Sequence, residues 1–324
     1  MSYRSGWQRL GAAVSLMALL GLTLSTVGVA SADEFTTTNT APTVGTPSLS
    51  ASIQPDAGAS ETEYTYSIVV GDAETLNDLD TVTVCLYLTT GGDSTCATPD
   101  PTTDVKLIWT QSTDAFTIDN GLSAYWALGT VTPSSSPTLT DTSGTFTFTF
   151  AVSEAAREGG WTAAVTADDG TTTDTDSTAT TTVNHYSSIT TRISQDFGAL
   201  SAGLVNGSEI TASPTLTANG QTTYNVTAGD FVGDGYTYTL KTDGLTSDAP
   251  AAGQVTFDCQ VASTFTEASA VRVGSTSTAI SSTETPTGTP EDGSTLANTC
   301  RLAHGGERPT GTYSFAVVTA VGNG

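Results

Sequence analysis

Apolar residues recur at every second position over much of the chain, and threonine fills many of the positions between them. The clearest case is the stretch GTFTFTF, in which Phe146, Phe148 and Phe150 alternate with threonines. A period of two predicts antiparallel strands with one face in a core and the other toward solvent. The same alternation occurs in both halves of the chain, at residues 64–70, 82–88, 161–167, 236–240, 255–261 and 313–317.

These short strands are separated by turns rich in Gly, Asp and Pro, without a long segment of helical period after residue 32. The pattern predicts an all-β protein with two antiparallel β-sandwich domains in tandem. We place the break at residues 185–188, after the threonine-rich strand TTTDTDSTATTTV. The predicted segments are a flexible mature N-terminus at 33–41, a first domain at 42–185, and a second domain at 186–324 with a mobile loop at 274–295, where bulky side chains are almost absent.

Residues 1–32 have the three parts of a secretory signal peptide. Arg4 and Arg9 form a basic start, an apolar run follows, and Ala30-Ser31-Ala32 offers a small-residue cleavage site. No later apolar run approaches the roughly 20 residues that span a bilayer. We therefore expect a secreted mature chain, extracellular or associated with the cell surface, that does not insert into a membrane.

Charge narrows the range of partners. The chain has 33 acidic and nine basic residues and a formal net charge of −24. Nucleic acid binds through Lys and Arg side chains that neutralise phosphates, so this balance excludes it as a partner. A strongly acidic surface instead suits a protein that must stay soluble in salty surroundings.

The four cysteines fall into two pairs, with one pair in each predicted domain. An exported chain meets an oxidising compartment, so we predict the disulfides Cys85–Cys96 and Cys259–Cys300. A metal cluster built on CRLAH, where His304 follows Cys300, is the alternative, but that half offers only one further cysteine.

The acidic stretch DAETLNDLD at residues 72–80 is the strongest candidate for a binding site. Calcium takes about six to eight oxygen ligands, and carboxylate and amide side chains cluster here. The spacing lacks the central Gly and the distal Glu of a helix-loop-helix calcium loop. Possible calcium ligands are Asp72, Glu74, Asn77, Asp78 and Asp80, together with Asp168 if its hairpin lies beside Asp72.

A purely local structure explains the same letters, and we favour it. Thr75 and Asp78 have the spacing of a capping box, and Leu76 and Leu79 are three apart, as one helical turn packed on a core requires. The sequence thus predicts a capped turn, with calcium as the alternative.

Other candidate residues are few. Trp109, Trp126 and Trp161 lie inside apolar strand patterns, which predicts burial, although exposed aromatic rings could stack on sugars. Asn206 and Asn225 begin N-x-S/T triplets and are candidate glycosylation sites, for which we expect exposed edges.

Catalytic chemistry has little support in the sequence. The chain has two histidines, His185 and His304, and lacks a Gly-x-Ser-x-Gly elbow. We therefore predict that the protein is not an enzyme, and we expect no cofactor other than calcium.

Three consecutive stretches resemble a known class of module. They are NTAPTVGTPSLS, VVGDAETLNDLDTVTVCLY and GTFTFTFAVSEAAREGGWTAAVTADDG, and together they are similar to the immunoglobulin-like (cadherin-like) sandwich modules of secreted archaeal and bacterial surface proteins. The second half, from DFGALSAG to RPTGTYSFAVV, resembles more loosely the β-sandwich units of cell-surface and filament-forming proteins. The resemblance implies a structural or adhesive role and brings no active-site residues; modules of this class often bind calcium at domain ends.

Our leading hypothesis is a non-catalytic cell-surface or envelope-associated structural or adhesive protein. One alternative is a carbohydrate-binding module. Another is an extracellular filament subunit that assembles by donating its N-terminal strand to a neighbour. The expected partners are an extracellular protein, a polysaccharide or a second copy of the chain.

Overall fold

A computed structural model describes residues 38–59, 62–119, 125–189, 197, 208–233, 235–284, 294–295, 297–306, 312–314 and 317–323. From Thr40 onward the chain forms one compact unit. In the described ranges its regular elements are β-strands and two short 3-10 turns, Leu76–Asp78 and Gln111–Thr113. The all-β prediction is confirmed. Within the described ranges, no helix has the length and apolarity needed to cross a membrane.

The strands before residue 184 build two sheets. They are β1 (Thr43–Val44), β2 (Ser48–Leu49), β3 (Ser52–Ile53), β4 (Glu63–Gly71), β5 (Thr81–Leu88), β6 (Asp104–Thr110), β7 (Ala115–Ile118), β8 (Trp126–Leu128), β9 (Ser143–Val152), β10 (Gly159–Asp168) and β11 (Thr173–Val183). One sheet has the order β1-β4-β9-β8, with β2 also on β4, and the other has the order β3-β11-β10-β5-β6-β7. Neighbouring strands are antiparallel except β3 and β11, which are parallel.

Alternation along β4 and β9 decides which face is buried. Tyr66 pairs with Phe148 and Ile68 with Phe146, and these side chains lie in the core. The two sheets pack face to face. Trp109 on β6 contacts the Phe146 ring on β9, and the ring centroids are 4.7 Å apart. Aromatic rings therefore supply much of the area that this core removes from water.

The described strands after residue 186 build three sheets, of three, six and three strands. They are β12 (Ser187–Ile189), β13 (Ser208–Ala212), β14 (Thr215–Ala218), β15 (Thr222–Ala228), β16 (Phe231–Gly233), β17 (Tyr236–Leu240), β18 (Gln254–Val261), β19 (Val271–Arg272), β20 (Thr278–Glu284), β21 (Ser294–Thr295), β22 (Asn298–His304) and β23 (Val317–Asn323). The sheet orders are β12-β14-β21, β13-β22-β18-β17-β16 with β19 on β18, and β20-β15-β23. None of the described sheets mixes strands from the two halves.

A second hydrophobic cluster lies between these sheets and includes Tyr224, Phe257 and Leu302. The predicted mobile loop at 274–295 is wrong in part. Residues 278–284 form β20 and pair with β15, and residues 294–295 form β21 and pair with β14. Small Thr and Ser side chains suit a strand whose stability comes from ladder hydrogen bonds. The remaining residues, 285–293, lie outside the described ranges.

The register of β10 defines two ends of the first half. Gly159 pairs with Val183 at one end, and Asp168 pairs with Thr173 and Thr81 at the other. A hairpin turn at Asp169-Gly170 closes this second end, with φ of 79° at Gly170. Ten residues of strand separate the ends, which is about 30 Å. The turn at 72–80 thus lies far from the passage into the second half.

Candidate functional site

The acidic turn after β4 is anchored by apolar side chains and by backbone bonds. Leu76 and Leu79 are both buried in the first core. The Asp72 N–H donates to the Thr142 carbonyl at 2.9 Å, and the Leu76 N–H donates to the Asp141 carbonyl at 2.8 Å. These contacts hold the turn against the loop that precedes β9.

Three carboxylates meet at this turn. One oxygen each of Asp72, Glu74 and Asp78 lies within 4.8 Å of the other two. Asp72 is only 3% exposed, whereas Glu74 and Asp78 are exposed. Thr40 Oγ1 donates to Glu74 Oε1 at 3.0 Å, so the residue that precedes β1 by three positions also contacts the cluster.

The two oxygens of Asp72 have different surroundings. Oδ1 accepts the N–H groups of Glu74 at 2.9 Å and Thr75 at 3.4 Å. Oδ2 is buried and has no hydrogen-bond partner in the described part of the chain. Burial raises the pKa of Asp72, the charge of Glu74 acts in the same direction, and the two backbone N–H groups oppose the rise. This carboxyl is therefore harder to ionise than a solvated one, and a nearby cation would favour its ionised form.

Only half of the predicted calcium ligands come together. Asn77 Oδ1 is engaged by Gln111 Nε2 at 2.8 Å, and Asp168 Oδ1 accepts the Gly170 N–H at 2.8 Å within its hairpin. The Asp80 N–H does donate to the Asp168 carbonyl at 2.7 Å, so the two loops are neighbours. The carboxylates of Asp80 and Asp168 do not join the cluster of Asp72, Glu74 and Asp78.

The predicted turn exists, but the predicted capping box of Thr75 and Asp78 does not form. The 3-10 turn runs from Leu76 to Asp78, and Thr75 makes no side-chain cap bond. Asp72 accepts the Thr75 N–H instead. Thr75 has an extended backbone, and its N–H group is already bonded to the carboxylate of Asp72 at the start of the loop.

The predicted tryptophan burial is confirmed. Trp109, Trp126 and Trp161 are all buried, and each indole N–H has an internal acceptor. The acceptors are Asp114 Oδ1, the Pro101 carbonyl and the Arg157 carbonyl. These rings are therefore not available to stack on a sugar.

The glycosylation candidates have different outcomes. Asn206 lies outside the described residues. Asn225 is half-buried on β15, which has β20 on one side and β23 on the other, so the expected exposed edge is wrong for this residue. Its side chain donates to the Thr223 carbonyl at 3.4 Å.

Both predicted disulfides are present. Cys85 is bonded to Cys96, and Cys259 is bonded to Cys300 across the directly paired strands β18 and β22. The alternative metal cluster on CRLAH is therefore wrong. His304 packs on the Tyr238 ring at 5.4 Å and accepts the Gly306 N–H.

The junction between the halves depends on Asn219, which sequence reasoning missed. Its Nδ2 donates to the Ala156 carbonyl at 2.9 Å and to the Asn184 carbonyl at 3.0 Å. Its Oδ1 accepts the Tyr186 N–H at 2.7 Å, and the residue is 4% exposed. A buried amide with these partners fixes three segments at one point. The only sequence signal was Asn-Gly, which indicates a turn.

A second junction contact uses one of the two histidines. His185 Nδ1 lies 2.8 Å from Glu158 Oε2. The Glu158 N–H also donates to the Asn219 carbonyl at 3.2 Å, so the histidine pair and the asparagine contacts are continuous. The imidazole of His185 is thus part of the junction.

A buried charge network in the second half was also missed. Asp258 on β18 accepts from Arg272 on β19 and from Arg301 on β22. The available signal was the disulfide itself: because Cys259 is opposite Cys300, the preceding Asp258 is opposite the following Arg301. Antiparallel register therefore pairs this acid with this base.

Glu63 at the start of β4 holds a surface loop. Its carboxylate accepts the N–H groups of Thr130, Val131 and Thr132. These bonds lower the pKa of Glu63, with the Val131 N–H as the largest cause. The carboxylate keeps the loop after β8 against the edge of its sheet.

Comparisons with known proteins add no family assignment. No protein-family model matches the chain, and no curated protein matches it.

Proposed function

We propose that this chain is a secreted, non-catalytic structural or adhesive protein of the cell surface or envelope. In this proposal residues 1–32 are removed as a signal peptide, and two immunoglobulin-like sandwich domains, 42–185 and 186–324, follow in tandem. Its partners would be an extracellular protein, a polysaccharide or another copy of the chain.

The strand order of the first half supports an immunoglobulin-like domain of the variable type. The order β1-β4-β9-β8 corresponds to strands A, B, E and D, and β11-β10-β5-β6-β7 corresponds to G, F, C, C′ and C″. The disulfide that joins strands B and F in antibody domains has no counterpart, because Cys85 on β5 is bonded to Cys96 in the following loop.

The observation that carries the structural role is the junction at Asn219. A flexible linker would leave the halves free to reorient. Here the buried side chain of Asn219, in the second half, binds the backbone of Ala156 and Asn184 in the first half and of Tyr186 at the passage between the halves, within one compact unit. A fixed orientation is what a protein needs to present a surface or transmit force.

The disulfides support export. Structural disulfides persist in oxidising compartments and are rare in the cytosol of most organisms. The two found here, one in each half, favour an extracellular location for the whole chain.

The alternatives receive less support. Burial of Trp109, Trp126 and Trp161 removes the proposed sugar-stacking surface of a carbohydrate-binding module. For strand donation, β1 already pairs with β4 of its own sheet, and residues 33–37 of the candidate donor lie outside the described ranges.

Genetic complementation tests the structural role. Cells that lack the gene should show an altered envelope or reduced adhesion, and the wild-type chain should restore it. Asn219→Ala, expressed to the same level, should restore it less well because the halves are held together by fewer contacts. Asn225→Ala is the matched control and should behave as wild type. A metabolic defect with an unaltered surface would contradict the proposal.

A further inference from the structure

Asp72 has one buried carboxylate oxygen that accepts no hydrogen bond from any described residue. A buried carboxylate oxygen without a hydrogen bond costs free energy, because water no longer solvates it. Asp72 Oδ2 is such an oxygen, although Oδ1 of the same residue has two donors. The carboxylates of Glu74 and Asp78 lie close to this residue.

Within the described residues, no Lys, Arg or His is paired with these carboxylates. None of the ion pairs in the described part of the chain includes Asp72, Glu74 or Asp78. Carboxylates held this close repel one another when ionised. A bound cation would remove both costs at once, since it would ligate the orphaned oxygen and neutralise its neighbours.

We propose that the turn after β4 binds a calcium ion through Asp72, Glu74 and Asp78. Calcium binds oxygen at about 2.4 Å, so two ligands of one ion can lie up to about 4.8 Å apart. The three oxygens lie within 4.8 Å of one another. Magnesium has shorter bonds and demands a regular octahedron, whereas calcium accepts an irregular set completed by water at the exposed carboxylates.

The site would stiffen the end of the sandwich that lies farthest from the second half. Asp72 bonds the loop before β9 through its backbone, and Glu74 bonds Thr40. A cation shared by Asp72, Glu74 and Asp78 would join these segments to the turn. This inference does not depend on the proposed function, because it concerns only ion binding.

Calorimetry and thermal unfolding test the site. The purified chain is freed of metal with a chelator and titrated with calcium in high monovalent salt, which screens the diffuse attraction of a polyanion. We expect a saturable heat of binding, with Kd on the order of 10⁻⁴ to 10⁻³ M as in other extracellular modules, and a raised Tm. Magnesium should bind more weakly, and tighter magnesium binding would overturn the assignment.

Matched variants locate the ion. Asp72→Asn keeps the side-chain shape and should abolish calcium binding. Glu74→Gln and Asp78→Asn, both at exposed positions, should each weaken it at least about tenfold. Asp80→Asn removes the same charge from the same loop and should bind as the wild type does. No calcium binding by the wild type, or equal binding by Asp78→Asn and Asp80→Asn, would overturn the proposal.

Discussion

Removing Asp258 should destabilise the second half far more than removing an exposed acid. Asp258 is 0% exposed and accepts from two buried arginines, Arg272 and Arg301. In the variant Asp258→Ala both guanidinium groups stay buried, with the half-exposed carboxylate of Glu267, 3.2 Å from Arg301, as the remaining anion. Breaking a buried pair in this way costs about 3 to 5 kcal/mol.

Two further variants separate charge from hydrogen bonding. Asp258→Asn keeps one acceptor oxygen and loses the charge. Its free energy of unfolding should therefore fall by less than that of Asp258→Ala. Asp243→Asn is the surface control, because Asp243 is 89% exposed and lies 3.4 Å from Lys241. An exposed ion pair of this kind is worth about 0 to 1 kcal/mol.

Urea unfolding followed by two probes measures the effect. Trp109, Trp126 and Trp161 all belong to the first core, so tryptophan fluorescence follows that half, while circular dichroism follows all strands. We expect Asp258→Ala to introduce an early dichroism transition that fluorescence does not show. A free energy of unfolding within about 1 kcal/mol of Asp243→Asn would refute the reasoning.

Three other predictions concern single contacts. The pKa of Glu63 is lowered in the fold, so the hydrogen bonds from its carboxylate to residues 130–132 stabilise the fold above the ordinary pKa of 4.5 and are lost as pH falls through the lower folded pKa. Amide NMR shifts of residues 130–132 should report this change, and Glu63→Gln should show no such step. Asn219→Ala removes three side-chain hydrogen bonds and should cost about 2 to 4 kcal/mol in urea unfolding, whereas no loss would mean that the junction is not specified by this residue. Replacing both Cys259 and Cys300 by Ala should cost about 2 to 5 kcal/mol, and peptide mass mapping of the non-reduced wild type should find only the native pairs.

The local sequence pattern was sufficient to predict the fold class and the residues of the first hydrophobic core. Phe146, Phe148 and Phe150 alternate with threonines because one face of β9 is buried, and a period of two is visible without any long-range knowledge. The disulfides could also be predicted from the sequence, because few pairings are possible among four cysteines. The segment 274–295 was misread in part because small polar residues are common both in loops and in strands.

The candidate calcium site could be predicted only in part from the sequence. Asp72, Glu74 and Asp78 lie in one turn, so sequence proximity brought them together, but the carboxylate of Asp168 depends on how the hairpin sits beside the turn. The burial of Asp72 follows from the loop before β9, which no local pattern could indicate. Asn219 was missed for a similar reason, since its three partners come from distant segments.

Localisation of the native protein, with determination of its first residue, tests the central claim most directly. Immunogold electron microscopy and cell fractionation would be combined with mass spectrometry of the purified chain. We expect the protein outside the cytoplasmic membrane, beginning at Asp33 and carrying both disulfides. An intracellular chain that retains residues 1–32 and has free thiols would contradict the proposal.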